Sequence, residues 1–103
     1  MDYLTGDLGT GGARLCAIEL RFHGRLGEPF VAFAMRRAQR LSLRGWIEAD
    51  EPDSVTVAAE GPEALVDAFE IACSLGPIEA SVESWTRSER RGGFNALSFE
   101  RRA

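Results

Sequence analysis

The chain contains no lysine, a single histidine and only two cysteines. Its twelve basic residues are therefore all arginine, set against sixteen acids for a net charge of −4. A general nucleic-acid binder needs a basic surface to displace counterions, and this balance argues against that class. One histidine and no spaced cysteine pair leave no usual zinc ligand set. Cys16 and Cys73 fall on core-facing positions of the patterns below, so they read as buried free thiols and not as a disulfide or metal pair. No apolar run approaches the roughly 20 residues needed to cross a bilayer. The opening MDYLTGDLGTGGA lacks a basic segment followed by an apolar one, so it does not read as a signal peptide, and the cytoplasm is the expected location.

What is present suits one packed domain. The chain has 103 residues, 45% of them hydrophobic, enough for one core and too few for two. Residues 1–13 carry four glycines among small polar residues without periodicity and read as a flexible arm; residues 14–103 form the domain. In residues 14–23, Cys16, Ile18, Leu20 and Phe22 alternate with Ala17, Glu19, Arg21 and His23, the mark of a half-buried strand. After Pro29, the residues Phe30, Phe33/Ala34, Ala38 and Leu41 recur at helical spacing, and a helix is expected to end near Leu43. Residues 46–50 and 54–60 read as a hairpin, with Val55, Val57 and Ala59 inward. Gly61-Pro62-Glu63 opens a second helix, with Pro62 at its first position and a stripe of Leu65, Ala68/Phe69 and Ala72/Cys73, ended by Gly76-Pro77. Residues 79–86 read as a fourth strand and residues 96–101 as a short final edge strand.

The order β-α-β-β-α-β predicts an α+β fold: a ferredoxin-like split βαββαβ sandwich. Its sheet is mostly antiparallel, with two helices on one face and a short extra C-terminal strand. The pattern alone carries no function. By alternation, the sheet face away from the helices should show Ala17, Glu19, Arg21, Ile47, Ala49, Thr56, Ala58, Glu83 and Trp85. Ile47, Ala49, Ala58 and Trp85 would then form an apolar patch suited to a homodimer or a protein partner. His23 reads as a structural residue on the outward side of the first strand. Serines 54, 81, 84 and 88 lack a nucleophile context, and Arg87, Arg90 and Arg91 read as part of a solvated loop.

Several segments, in this order and spacing, resemble the acylphosphatase family: Phe22-His23-Gly24-Arg25, Arg36-Arg37-Ala38-Gln39-Arg40-Leu41, Leu43-Arg44-Gly45-Trp46, Ser54-Val55-Thr56-Val57, Ala59-Glu60-Gly61-Pro62, Gly76-Pro77, Ala80-Ser81-Val82-Glu83-Ser84 and Phe99-Glu100-Arg101. The resemblance covers residues 14–102. It implies a phosphate loop of the form G-x-V-Q-G-V-x-F/Y-R after the first strand. The loop amides and closing Arg would hold the acyl phosphate, and an Asn on the second strand would hold the attacking water. Such chemistry works by positioning and charge stabilisation, without a protein nucleophile.

Here the corresponding stretch, Gly24-Arg25-Leu26-Gly27-Glu28-Pro29-Phe30, is one residue shorter. The position of the Arg is held by Val31 and that of the Asn by Ala49. Glu28 adds a negative charge, and Pro29 removes a backbone N–H. The expectation is a degenerate loop in a domain that has lost acyl-phosphate hydrolysis and serves as a binding or interaction module. The alternative is a divergent acylphosphatase that hydrolyses small acyl phosphates to carboxylate and phosphate. In that case Arg25 is the candidate substitute anion contact, and Asp50 or Glu48 could stand over a water. A third reading has Glu28 and the apolar loop residues binding a ligand that is not an anion. No cofactor, metal, nucleic acid or membrane is expected in any of these.

Overall fold

In the computed structural model, which describes residues 14–102, the alternating stretch forms β1 (Leu15–Arg25). Ile18, Leu20 and Phe22 are fully buried on one side of it, while Arg21 and His23 face solvent. The chain then passes almost directly into α1 (Gly27–Arg40) and continues through β2 (Arg44–Glu51), β3 (Ser54–Pro62), α2 (Glu63–Leu75), β4 (Ser81–Glu89) and β5 (Phe99–Arg102). The five strands lie in the order β4-β1-β3-β2-β5. β1 pairs antiparallel with β3 and β4, β2 pairs antiparallel with β3, and β5 lies parallel to β2. Both helices cover the same face of this sheet, so Phe30, Val31, Ala34 and Ala38 of α1 join Val66, Phe69 and Cys73 of α2 in one core. The α+β split sandwich expected from the pattern is the observed fold.

Local chemistry explains where boundaries moved. Helix α1 stops at Arg40, earlier than Leu43, because Ser42 takes a left-handed conformation (φ 57°) that breaks the helical ladder. Leu43 turns inward and is buried. Pro62 ends β3 and stands just outside α2, so the first helical residue is Glu63. The buried stripe of α2 is Val66, Phe69 and Cys73, with Ala68 exposed. Strand β4 runs on to Glu89, and the backbone N–H of Arg90 still donates to the Ala17 carbonyl at 2.8 Å. Gly45 (φ 142°) lets β2 approach β3, since a Cβ there would overlap the Ala58 carbonyl.

The expected open-face patch is corrected. Ile47 lies opposite Val57 and Ala49 opposite Val55, and all four point towards the helices. Trp85 lies opposite Phe22 on that same inner face, with ring centroids 6.4 Å apart. Its indole Nε1 donates to Glu70 on α2 at 2.9 Å. Of the four patch residues only Ala58 belongs to the outer face, and it is fully buried there. The error is one of strand parity: reading β2, and β4 at Trp85, one residue out of phase exchanges the two faces. Trp46 is the outward residue. Phe94 packs edge-on against it at 6.4 Å, and the Arg102 guanidinium sits 4.2 Å from its ring.

The arm assigned to residues 1–13 lies outside the described residues. Among the described residues, no helix is long and apolar enough to cross a membrane.

Candidate functional site

The segment expected to be a phosphate loop is hardly a loop. β1 continues through Arg25 and α1 starts at Gly27, leaving only Leu26 between them. Leu26 points into the core and is 3% exposed. The Gly24 N–H is already taken by the Asp53 carbonyl at 3.1 Å. Gly24 also sits at a register shift between β1 and β4, where a Cβ would overlap the Ser81 carbonyl. Phe30 is fully buried against Phe22, with ring centroids 5.1 Å apart. Glycine, leucine and phenylalanine here therefore serve packing.

Beside this junction lies an open depression of about 380 Å³, lined by Gly27, Glu28, Val31, Ala49, Asp50, Glu51, Pro52 and Val55. The fold thus brings Val31 of α1 and Ala49 of β2 to one place, together with the exposed first turn of α1. Val31 and Ala49 give the depression an apolar lining, and Glu28, Asp50 and Glu51 are its acidic residues. Asp50 is engaged, because the buried Thr56 hydroxyl donates to its Oδ2 at 2.6 Å. Glu48 lies in register with Thr56 of β3 and is not part of the lining.

Two arginines bear on the electrostatics. Arg25 is exposed and lines a different shallow depression with His23, Gly24, Asp53 and Glu83. The candidate substitute anion contact thus stands at the end of β1 and is not in the lining of the depression beside Val31 and Ala49. Arg101 of β5 instead makes a two-pronged pair with Glu28, Nη1 donating to Oε1 at 2.8 Å and Nη2 to Oε2 at 2.7 Å. Those hydrogen bonds hold the Glu28 carboxyl below its usual range and raise the Arg101 guanidinium. The sequence showed Arg101 only as part of a strand ending. Nothing in it signalled the parallel pairing that places Arg101 opposite Ile47, on the helix-covered face.

Elsewhere on that face, Arg87 of β4 donates to Asp67 at 3.0 Å and Glu70 at 2.6 Å, both on α2, and to Glu89 at 3.1 Å. Burial pulls this guanidinium down, but the three carboxylates outweigh it and raise it overall. Arg87 is thus a structural tie and not part of a solvated loop. Cys73 is a buried free thiol, as expected, whereas Cys16 is only half-buried. Among the described residues, no three His, Cys, Asp or Glu side chains converge as metal ligands.

Fold and geometry together define a small split βαββαβ sandwich with a candidate site at its first strand–helix junction. Within that class the chain belongs to the acylphosphatase family, whose sequence profile matches residues 19–99. It is 34% identical over 85 residues to an acylphosphatase of Pseudothermotoga lettingae, spanning 82% of this chain and 94% of that protein. An acylphosphatase of Azoarcus sp. is 39% identical over 71 residues, spanning 68% of this chain and 72% of that protein. Among solved structures, an acylphosphatase from Bacillus subtilis superposes with a TM-score of 0.80 at 24% identity, covering 87% of this chain and all of the other. One from Coxiella burnetii gives 0.79 at 20% identity, covering 85% and 93%. At these identities the superpositions speak for the fold alone.

Proposed function

We propose that this chain is a divergent acylphosphatase, hydrolysing small acyl phosphates to carboxylate and phosphate. The observation that carries the reading is the family match over residues 19–99, which takes in most of β1, the junction, α1 and β2 as one continuous unit. The side chains at the junction favour a slow enzyme. Losing one preorganised transition-state donor typically lowers a rate about 10²–10³-fold, and Val31 and Ala49 stand at two positions where the family resemblance implies donors. The test is release of phosphate from acetyl phosphate and benzoyl phosphate by the purified protein. Turnover above the protein-free rate is expected. A rate equal to that background on both substrates would sink the reading.

A second reading, a binding module without hydrolysis, is favoured by one specific observation. The depression is lined by apolar Val31, Ala49 and Val55 and by the acidic residues Glu28, Asp50 and Glu51, a setting that disfavours a phosphate dianion. Its expected signature is background hydrolysis together with no perturbation of the amides of residues 24–31 by millimolar phosphate in NMR spectra.

A further inference from the structure

Position 31 holds no charge, and Arg25 opens onto another depression, yet a guanidinium does stand at the first turn of α1. It belongs to Arg101, 73 residues along the chain from Glu28. Arg101 lies in parallel register with Ile47, whose side chain is buried beneath the helices. This places Arg101 on the sheet face that also carries Ala49 and the depression. From there it grips Glu28, itself one of the lining residues, through both carboxylate oxygens.

We propose that Arg101 is the phosphate-binding arginine of this domain and that Glu28 occupies it when no anion is bound. The inference rests on the acylphosphatase reading of the junction. A guanidinium presents five N–H donors in a planar fork matched to carboxylate and phosphate oxygens alike. Glu28 engages both Nη groups of that fork, the donors an incoming phosphate would take over. The pair is loosely seated: the Arg101 side chain is 44% exposed and that of Glu28 is 71% exposed. Exposed pairs of this kind are readily exchanged with solvent ions, and a phosphate dianion carries more charge than the carboxylate it would displace. The glutamate is then a specificity element that sets a threshold for anion charge, so that monoanions compete poorly and dianions well.

The experiment is a titration with inorganic phosphate, followed by NMR, of the unaltered protein and of Glu28→Gln, Arg101→Ala and the double variant. Arg36→Ala serves as a control that removes one positive charge elsewhere. Glu28→Gln should tighten phosphate binding at least fivefold, Arg101→Ala should abolish it, and the double variant should show no gain. The control should match the unaltered protein to within twofold. Unchanged affinity in Glu28→Gln would overturn the proposal. So would a gain that survives in the double variant, since that would reflect removal of a negative charge and not release of Arg101. Acetyl phosphate hydrolysis separates the two claims. No turnover in any variant, with the phosphate pattern intact, rejects the hydrolase reading and keeps Arg101 as an anion contact. Turnover indifferent to Arg101→Ala keeps the hydrolase and rejects the role given to Arg101.

Discussion

Trp85 of the edge strand lies flat against Phe22 of its neighbour, the two rings inclined by 28° and their centroids 6.4 Å apart. With its Nε1–H donated to Glu70, the indole ties β4, β1 and α2 together at one point. Trp85→Ala removes the stacking and leaves Glu70 without that donor, a loss of about 1–3 kcal/mol. The midpoint of urea denaturation should fall accordingly. The molar mass from light scattering should be the same for variant and parent, because this ring is committed to its own chain.

Phe30 anchors the short connection between β1 and α1 from within the core. Phe30→Ala should cost about 3–5 kcal/mol, the range for deleting a fully buried aromatic side chain. Calorimetric or chemical denaturation would register it as a large drop in melting temperature.

Gly45 is a sharper case, because both its left-handed φ and the nearby Ala58 carbonyl oppose a side chain. Gly45→Ala is expected to destabilise the fold by roughly 3 kcal/mol or more. A variant as stable as the parent would contradict the close approach of β2 and β3.

The Glu28–Arg101 pair makes stability depend on pH in a defined direction. Hydrogen bonds from Arg101 depress the Glu28 pKa in the folded state below its ordinary 4.5. The pair's contribution is therefore complete above about pH 4.5 and lost as pH falls through the lower folded value. Melting curves of the parent and Glu28→Gln should differ at pH 6 and converge in the acid range. A difference that grows on acidification would contradict the pair.

Thiol chemistry gives an independent check on packing. Burial pushes Cys73 up to about 12, so at pH 8 it should resist a disulfide reagent until the protein unfolds. Cys16 is raised by burial and next by the Glu89 carboxylate. It should react before Cys73 but more slowly than a free thiol. Rapid labelling of both in native buffer would contradict the packing.

Much of the fold could be read from the chain because the inner faces of β1 and β3 alternate and α1 carries a clear apolar stripe. The apolar residues of α2 instead run round the helix, and only Val66, Phe69 and Cys73 are buried. Phase was lost in β2, where Trp46 and Ile47 are both large and apolar and either could have faced inward. That ambiguity displaced Ile47 and Ala49, and a separate phase error in β4 displaced Trp85, so the expected docking patch was lost. At the junction, a break after the first strand and a helix following Pro29 were legible, but a strand running through Arg25 almost directly into the helix depended on three-dimensional closure. Arg101 was hidden for a different reason: a parallel pairing between β2 and a four-residue strand at the far end of the chain has no local signal.

The sheet order has a further consequence at its rims. One rim is β5, only four residues long; the other is β4, whose outer edge pairs with no strand among the described residues. Arg87 points inward from near the C-terminal end of β4 into the carboxylates of α2. A foreign strand laid alongside would seal that guanidinium and its acids away from water at considerable cost. An inward charge on an edge strand is one of the ways proteins discourage self-templated growth of a sheet. The tie that fastens α2 to the sheet therefore also guards its open rim against aggregation.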